Sequence, residues 1–530
     1  MFAPLRLCRL LLCAAAILFA ASAAAEVVYH RGNSGEPNSL DPHRSSATWE
    51  SHIIRDLFLG LVVHDGAGKV IPGAAESWEM SADGRRWRFR IRDGLLWSDG
   101  MPVTAHDFVF SFRRLVDPAT GAEYASNLHI LENGREINAG EMPTERLGAA
   151  ALDDRTLELR LHTPVPYLLQ LLTHVSTYAV PRHVVEREGA NWVRPGAMVS
   201  NGAYVLSEWR PQTFVRLDRN PLFYDRDAVQ IDRVYFYPIE DDNTALKRFR
   251  AGEIDSHDRF PARQYAWLKS RMADRVRVAP WLGVYYYAFN SAKAPFDDRR
   301  VRRALAMTIP REAITEKLLG YGVIPAWSFV PPGVDHYEKG AQADFAAWSE
   351  DERFAAARAL LKDAGYGPDN PLEVTLSYNT DREHKKVALA VAHAWKKLGV
   401  VTRLFNVEAK VHFNNLKTAD FEVARAGWIA DYNDAENFLF LMASSTGRLN
   451  YGQFRNAEYD RLMGQASRTL DLDRRAELLH RAEAVAMDEQ PITPIFFYVS
   501  RNLVQPWVKG WTDNIVDVHP TRFLRIERGR

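Results

Sequence analysis

The segment "ARAGWIADYNDAENF", residues 424–438, sets Arg425 and Asp431 six residues apart. The residues between them are small or apolar except for Trp428. Opposite charges at this spacing admit three kinds of chemistry: catalysis, a structural ion pair beside a buried strand, or a binding site. A surface ion pair would add little to stability. An extended strand of this kind could instead accept a guest chain along one edge, with Asp431 facing an α-ammonium and Arg425 facing a carboxylate.

The sequence gives an enzyme no positive support. It lacks the G-x-S-x-G, H-E-x-x-H and G-x-x-x-x-G-K-[ST] motifs that carry nucleophilic, zinc-dependent and phosphate chemistry. The histidines at 174, 183, 384 and 393 show no ligand spacing. We therefore predict no catalytic residue, no metal and no cofactor. A peptidase is a distant alternative, and it would need a nucleophile or metal in a cleft.

The first 25 residues have the pattern of a secretory leader. Arg6 and Arg9 precede an apolar run that is shorter than the roughly 20 residues of a membrane span. A small-x-small site predicts cleavage after Ala25. Both cysteines, Cys8 and Cys13, lie in this leader and lack a lipidation context. We therefore predict an exported periplasmic protein without a lipid anchor, a membrane span or a disulfide.

The composition of the remaining chain argues against a nucleic-acid or polybasic membrane-surface protein. The whole chain balances 67 basic against 67 acidic residues, whereas nucleic-acid-binding proteins usually carry a clear basic excess. Removing 25 residues from 530 leaves 505, which suggests two or three domains.

Strand and helix patterns alternate along the chain without a visible linker. Alternation of apolar and charged residues predicts a strand and hairpin over 85–100, with the turn at 93–94, and a further strand over 156–164. A helical stripe predicts helices over 381–400, 474–490 and 301–309. The mixture indicates an α/β or α+β fold with several sheets. The run "VYYYAFN" (284–290) reads as an aromatic strand, one face of which could line a cavity.

Seven stretches, spread over nearly the whole chain after the leader, have a combined pattern. In order they are "EPNSLDPH" (36–43), "RDLFLGLVVHD" (55–65), "WSDGMPVTAHDFVFSFRRLVDP" (97–118), "NGAYVLSEW" (201–209), "RFRAGEID" (248–255), "YYYAFNSAKAPFDDRRVRRAL" (285–305) and "ARAGWIADYND" (424–434). Together they resemble the periplasmic oligopeptide-binding proteins of ABC peptide importers, solute-binding protein family 5. The stretches "VYYYAFN" and "AMTIPREAITEKLLGYGVIPAW" resemble the murein-tripeptide-binding branch of that family still more closely.

The resemblance implies a two-lobed periplasmic binding protein of type II, with an extra domain on the first lobe. Domain I would be discontinuous, over 26–59, 184–282 and 499–530, with domain II over 60–183 and domain III over 283–498. A short peptide would be enclosed between the lobes. The implied partners are an inner-membrane permease and its ATPase, and the receptor would be a monomer without enzymatic activity.

Three charged residues match family positions that hold the two ends of a peptide. Asp431 matches the aspartate that holds the α-ammonium. Arg425 matches the arginine that meets the carboxylate of tripeptides. His384 matches the histidine that meets the carboxylate of longer peptides.

Other positions match the parts of the site that contact the peptide backbone and side chains. Tyr124 and Tyr286 match pocket tyrosines. The matching backbone segments are Gly427, Trp428 and Ile429 on one lobe and Ser46, Ala47 and Thr48 on the other.

The sequence also departs from the family pattern. Gly283 and Ile429 stand where a cysteine pair is common, and Leu319 stands in place of a lysine used for dipeptides. Leu416 replaces an arginine on which murein-tripeptide binding depends. Arg259 could be a replacement cation. A specialised receptor for a murein peptide or another peptide-like compound therefore stays open beside a broad peptide receptor.

Overall fold

The computed structural model of the protein describes residues 26–528. The predicted leader and its cleavage site after Ala25 lie outside the described residues. Within residues 26–528, no helix has both the length and the apolar character needed to cross a membrane.

Strands and helices alternate over most of the chain. The strands are β1 (Val28–Asn33), β2 (Val62–His64), β3 (Val70–Pro72), β4 (Ala75–Met80), β5 (Arg86–Ile91), β6 (Ala149–Asp153), β7 (Thr156–Arg160), β8 (Tyr204–Arg210), β9 (Phe214–Arg219), β10 (Arg233–Pro238), β11 (Ser256–His257), β12 (Val276–Phe289), β13 (Ile324–Pro325), β14 (Glu373–Asn379), β15 (Val401–Val407), β16 (Val423–Ile429), β17 (Ile492–Val504), β18 (Val508–Lys509) and β19 (Arg525–Ile526).

The helices include each of the three that the apolar stripes predicted. The α-helices are α1 (Thr48–Leu57), α2 (Ala105–Val116), α3 (Gly134–Asn138), α4 (Leu168–Leu171), α5 (Arg182–Glu188), α6 (Asp242–Arg250), α7 (Tyr265–Arg271), α8 (Arg299–Met307), α9 (Glu350–Asp363), α10 (Arg382–Lys396), α11 (Ala409–Lys417), α12 (Glu436–Leu439), α13 (Ala457–Ala466) and α14 (Leu472–Glu489), with a π-helix at Ala313–Leu319. The mixed α/β class is confirmed.

Two long strands, β12 and β17, join the two half-sheets of the largest sheet. One half-sheet contains β15, β14 and β16, and the other contains β11, β1, β10, β9 and β8. The strand order is β15-β14-β16-β12-β17-β11-β1-β10-β9-β8, with β13 also on β17. The start of β12 pairs with the end of β17, and the end of β12 pairs with the start of β17. The register breaks between Pro280 and Val284. The stretch 281–283 therefore lies where the chain passes from one half-sheet to the other.

A separate antiparallel sheet is built from residues 75–160, in the order β4-β5-β7-β6. The alternation that predicted β5 is visible as burial, because Trp87, Phe89 and Ile91 face inward while the arginines between them are exposed. The predicted boundaries at 59/60 and 183/184 flank this region, and those at 282/283 and 498/499 fall inside β12 and β17. The division into domains stays a prediction.

Successive tyrosines of β12 enter different cores. Tyr286 packs with Phe329, Phe438 and Ala426 in one buried cluster. Tyr285 packs with Phe496 in another cluster on the opposite face of the sheet. This is the period-two alternation of a strand buried on both faces.

The loop before α1 is held by one buried carboxylate. Glu50, which is 1% exposed, accepts hydrogen bonds from the backbone N–H groups of Asn38, Ser39, Ser46 and Ala47 at 2.8–3.2 Å. The bond from Ala47 is the carboxylate half of a capping box. One side chain thus fixes both ends of the segment 38–47.

Replacing this carboxylate tests its role. Glu50→Gln is expected to lower the free energy of unfolding by about 3 kcal/mol, because an amide nitrogen would face donors that a carboxylate accepts. Urea denaturation measures the loss, and amide hydrogen exchange should rise at residues 38–47. Glu79→Gln, at an exposed position on β4, is the matched control. Equal midpoints and equal exchange for the two variants would contradict the assignment.

Candidate functional site

A cavity of about 500 Å³ lies between the two half-sheets. Six of the sequence-predicted residues line it: Ser46, Ala47, Thr48, Tyr124, Ile429 and Asp431. Trp281 and Leu282, which lie at the register break of β12, form part of its wall, as do residues 258–259, 499–501 and 516–518. Its wall does not include the other five predicted residues, which are Arg425, His384, Gly427, Trp428 and Tyr286.

Asp431 presents a carboxylate to this cavity from the turn after β16. Within residues 26–528, no hydrogen bond or ion pair reaches its carboxylate oxygens. Burial raises the pKa of this carboxyl to about 6. A partly buried acid without a partner is destabilising as an anion, so the site favours a cationic group from outside the protein.

Asn437 fixes the position of Asp431, and the sequence carried no signal for it. The side-chain oxygen of Asn437 accepts from the backbone N–H of Asp431 at 3.0 Å and from the indole Nε1 of Trp428 at 3.2 Å. The turn is held further by Asp434, which forms a buried two-point ion pair with Arg475 at 2.7 and 2.8 Å. The segment 428–437 is thus held at several points.

One backbone edge of β16 is open beyond its first residues. β14 pairs with β16 only at Val423 and Ala424, whereas β12 pairs along the whole strand. The N–H of Ala430 donates to the carbonyl of Leu282, which sets the alternation of the antiparallel ladder. By that alternation the backbone groups of Trp428 face β12, and those of Gly427 and Ile429 face the open edge.

Arg425 lies behind this edge and is not paired with Asp431. It is 8% exposed, and its guanidinium donates to the Tyr498 hydroxyl at 3.0 Å and to Asn379 Oδ1 at 3.2 Å. Its guanidinium carbon lies 4.9 Å from the centre of the Tyr285 ring. No carboxylate of the described chain lies within ion-pair distance of it. The alternative of a surface ion pair is therefore wrong.

A glycine at 427 makes room for this arrangement. A Cβ atom there would lie 2.9 Å from the Tyr498 hydroxyl oxygen and 3.2 Å from an Nη atom of Arg425. The arginine side chain thus bends along its strand toward Asp431, as far as residue 427. A larger side chain would displace the guanidinium or the tyrosine.

His384 lies near Arg425 and does not line the cavity. Its ring centre lies 5.5 Å from that of Tyr285, and its Nδ1 is 3.7 Å from Asp381. Burial, and then the charge of Arg425, lower the pKa of His384 to about 4. The imidazole is therefore neutral near pH 7.

Tyr286 does not line the cavity. It is 1% exposed and packs edge-on against Phe329 in the core. Tyr285, one residue earlier, faces Arg425 instead. The sequence predicted that one face of the tyrosine run could line a cavity, but both faces are buried in cores and none of Tyr285, Tyr286 and Tyr287 lines this one.

The opposite wall is formed by the start of α1. The N–H groups of Ser46 and Ala47 are taken by Glu50, so these two amides are not free to pair with a ligand. The carbonyl of Ser46 and the N–H of Thr48 have no backbone partner within residues 26–528. This segment can therefore offer one acceptor and one donor.

Tyr124 borders the same end of the cavity as Asp431. Burial, and then the negative charge of Asp431, raise the pKa of the Tyr124 hydroxyl. Its ring packs on His174, with centres 4.4 Å apart. Tyr432 also lines the cavity, and its ring stacks on that of Tyr167 with centres 5.0 Å apart.

Comparisons with known proteins agree on one family. The family model described as bacterial extracellular solute-binding proteins, family 5, middle region, matches residues 69–450. The periplasmic oligopeptide-binding protein OppA of Salmonella typhimurium is 42% identical over 486 residues, which cover 91% of this chain and 89% of the relative.

Solved structures match over nearly the whole chain. An unliganded open form of the periplasmic murein tripeptide-binding protein MppA has a TM-score of 0.86 at 39% identity, over 95% of this chain and 98% of that one. OppA of Haemophilus influenzae in complex with RPPGFSPFR has a TM-score of 0.77 at 38% identity, over 95% and 99%. These matches confirm the two-lobed binding-protein fold, and the protein belongs to the bacterial extracellular solute-binding proteins of family 5.

Proposed function

We propose that this protein is a periplasmic receptor that encloses short peptides between its lobes and delivers them to an ABC importer. The observation that carries the proposal is the carboxylate of Asp431, which faces the cavity without a partner from residues 26–528. The oligopeptide-binding relative and the complex with a nine-residue peptide support the same ligand class.

Asp431 is proposed to hold the α-ammonium of the peptide. An ammonium is the cation that every unmodified peptide carries, and a charged hydrogen bond to it contributes about 1.5–3 kcal/mol. The partner also removes the unfavourable burial of a lone carboxylate. Recognition at this point is independent of the peptide's side chains.

The open edge of β16 is proposed to receive the peptide backbone as an added strand. Gly427 and Ile429 each offer one N–H and one C=O group toward that edge, and Ser46 and Thr48 offer one group each from the opposite wall. Main-chain hydrogen bonds do not depend on the peptide's sequence, and water can bridge its varied side chains. These backbone contacts would therefore not discriminate between peptides of different sequence.

Arg425 is proposed to meet the carboxylate of tripeptides. Its guanidinium lies over Gly427, four residues from Asp431, which corresponds to about 13 Å along an extended strand. Three extended residues span about 10 Å, and hydrogen bonds at both ends fill the remainder. His384, beside Arg425, is proposed to meet the carboxylate of longer peptides.

A ligand that contacts both lobes would bind the closed form more tightly than the open form. The closed form would then be recognised by a permease with its ATPase. We propose domain boundaries as predicted, near residues 59, 183, 282 and 498, so that hinge movement occurs in β12 and β17. We also propose that the leader is cleaved after Ala25, that the mature protein has no lipid anchor, and that it acts as a monomer.

Blocking the α-ammonium tests the proposed function. Wild-type protein is expected to bind trialanine about 10- to 100-fold more tightly than N-acetyltrialanine, because acetylation removes the charge that faces Asp431. In Asp431→Asn this difference should vanish, because trialanine loses affinity and the acetylated peptide does not. Isothermal titration calorimetry measures all four affinities.

The matched control is Asp227→Asn, which removes the same charge from a side chain that is 96% exposed. It should keep the full discrimination. Asp431→Asn should unfold at the same temperature as the wild type or higher, because it removes a buried unpaired charge. If Asp431→Asn still distinguished the two peptides, the role of Asp431 would be wrong.

Peptide affinity should depend on pH through Asp431. The free carboxyl has a pKa raised to about 6, so below pH 6 it must release a proton before it can hold an ammonium. Lowering the pH from 7.5 to 5 is expected to weaken trialanine binding about tenfold, since the peptide amine stays charged in this range. Calorimetry at a series of pH values measures the decline.

The Asp431→Asn variant identifies the source of this pH dependence. Burial lowers the pKa of the cavity histidines His52, His64 and His174 to about 3, so they stay neutral between pH 5 and 7.5. Glu436, which accepts from Tyr432, has a pKa raised by burial to about 7, and the variant keeps that titration. A tenfold decline that persisted in the variant would move the effect from Asp431 to Glu436.

A further inference from the structure

Two arginines, Arg259 and Arg501, line the cavity on the wall opposite β16. Arg259 follows β11, and Arg501 lies in the end of β17 that pairs with the start of β12. An Nη atom of Arg501 donates to the carbonyl of Phe260 at 3.4 Å, so the two cationic side chains come from touching segments of one wall.

Both guanidinium groups are held from behind. The Nε of Arg259 lies 3.4 Å from a carboxylate oxygen of Asp242. The guanidinium carbon of Arg501 lies 4.9 Å from the centre of the Tyr321 ring and 5.9 Å from that of Phe260. Cation–π contacts of this kind orient a guanidinium without neutralising its charge.

Three of the four Nη atoms of the two arginines have no acceptor within residues 26–528. Within residues 26–528, neither Nη atom of Arg259 donates a hydrogen bond, and Arg501 makes none besides the one to Phe260. No carboxylate of the described chain lies within 4 Å of the Arg501 nitrogens. Two cations are thus neighbours on one wall, with a single carboxylate in contact with them.

The carboxylates near this pair are occupied elsewhere. Asp258 also lines the cavity, but it accepts from the Ser34 hydroxyl at 2.5 Å and lies against His52 and His257. Glu383 accepts from the Tyr321 hydroxyl at 3.1 Å, behind the ring on which Arg501 lies. Neither acid bridges Arg259 and Arg501, so an incoming anion would not have to displace an acid that joins them.

We propose that Arg259 and Arg501 form a carboxylate subsite that selects peptides with an acidic side chain. The inference rests on the proposed function, because it assigns a side-chain preference to the same cavity. A carboxylate offers two oxygens to planar guanidinium donors, which is the pairing that arginine forms best. A neutral amide of the same shape lacks the charge.

The subsite and Asp431 lie on different half-sheets, so the charges of one ligand could contact both. Asp431 belongs to the half-sheet that contains β16, whereas Arg259 and Arg501 belong to the half that contains β11. A peptide with an α-ammonium and an acidic side chain would therefore carry a charged contact to each half. Such a ligand stabilises the closed form through both contacts at once.

Matched glutamate and glutamine peptides test the subsite. Trialanine and its six derivatives with Glu or Gln at each of the three positions are titrated calorimetrically into wild-type protein and into the Arg259→Gln/Arg501→Gln double variant. At one or more positions the wild type should bind the Glu peptide about tenfold or more tightly than the Gln peptide. In the double variant this ratio should fall to within about twofold, with trialanine affinity unchanged.

Controls separate the possible outcomes. Arg271→Gln removes an exposed positive charge at the end of α7 and should keep the preference. Arg259→Gln alone, at a side chain that is 42% exposed, should reduce the preference if the double variant does not fold. The subsite is overturned if no position prefers Glu, if the double variant keeps the preference, or if it loses trialanine equally. Absence of trialanine binding to the wild type would instead overturn the proposed function, and the subsite with it.

Discussion

A carboxylate that is partly buried without a partner is the constraint on which the site depends. Asp431 has lost much of its water without gaining an ion pair from residues 26–528, and its raised pKa expresses that unfavourable state. A protein keeps such a group when another molecule supplies the missing charge. The hydrogen bonds of Asn437 and the buried pair of Asp434 with Arg475 prevent the turn from relaxing to solvate the acid.

The rest of the site extends from that point along β16. Because β14 leaves β16 after Ala424, the strand has both a paired edge and an open edge. Gly427 allows Arg425 and Tyr498 to lie against the same strand. Across the cavity, Glu50 accepts hydrogen bonds from two backbone N–H groups of the segment 46–48. It thereby determines which backbone groups of that segment remain available to a ligand. The two walls are joined through β12 and β17, the long strands that connect the two half-sheets.

Local sequence patterns predicted the helices and strands well. Where the structure differs from the predictions, the reason is the long-range geometry of the fold. The strand β5 and the helices α10 and α14 follow from apolar periodicity, which acts within one element. The orientation of Tyr285 and Tyr286 was not predictable in this way, because every position in the run is a tyrosine and only the pairing with β16 decides the faces. The ion-pair alternative was wrong because spacing along the chain does not reveal that the guanidinium of Arg425 donates to Tyr498 and Asn379 instead of to Asp431.

The residues that the sequence did not predict act through a local turn or through positions far apart in the chain. Asn437 matters because a turn brings it to Trp428 and Asp431. Arg501 matters because β17 carries it back beside the segment of Arg259, more than two hundred residues earlier. Motif resemblance pointed to Asp431 through the stretch 424–434, which contains it, and to the cavity segment 46–48 through its place between the stretches 36–43 and 55–65. It did not reveal that the amides of Ser46 and Ala47 are already occupied.

The state of the Asp431 carboxyl, with and without peptide, tests the central claim most directly. Protein labelled with ¹³C at the aspartate side-chain carboxyl, with the signal assigned from the Asp431→Asn variant, can be titrated by NMR. The account predicts a pKa near 6 in the free protein and below about 4 in the presence of saturating trialanine, because the ammonium stabilises the anion. A pKa that trialanine leaves unchanged would contradict it.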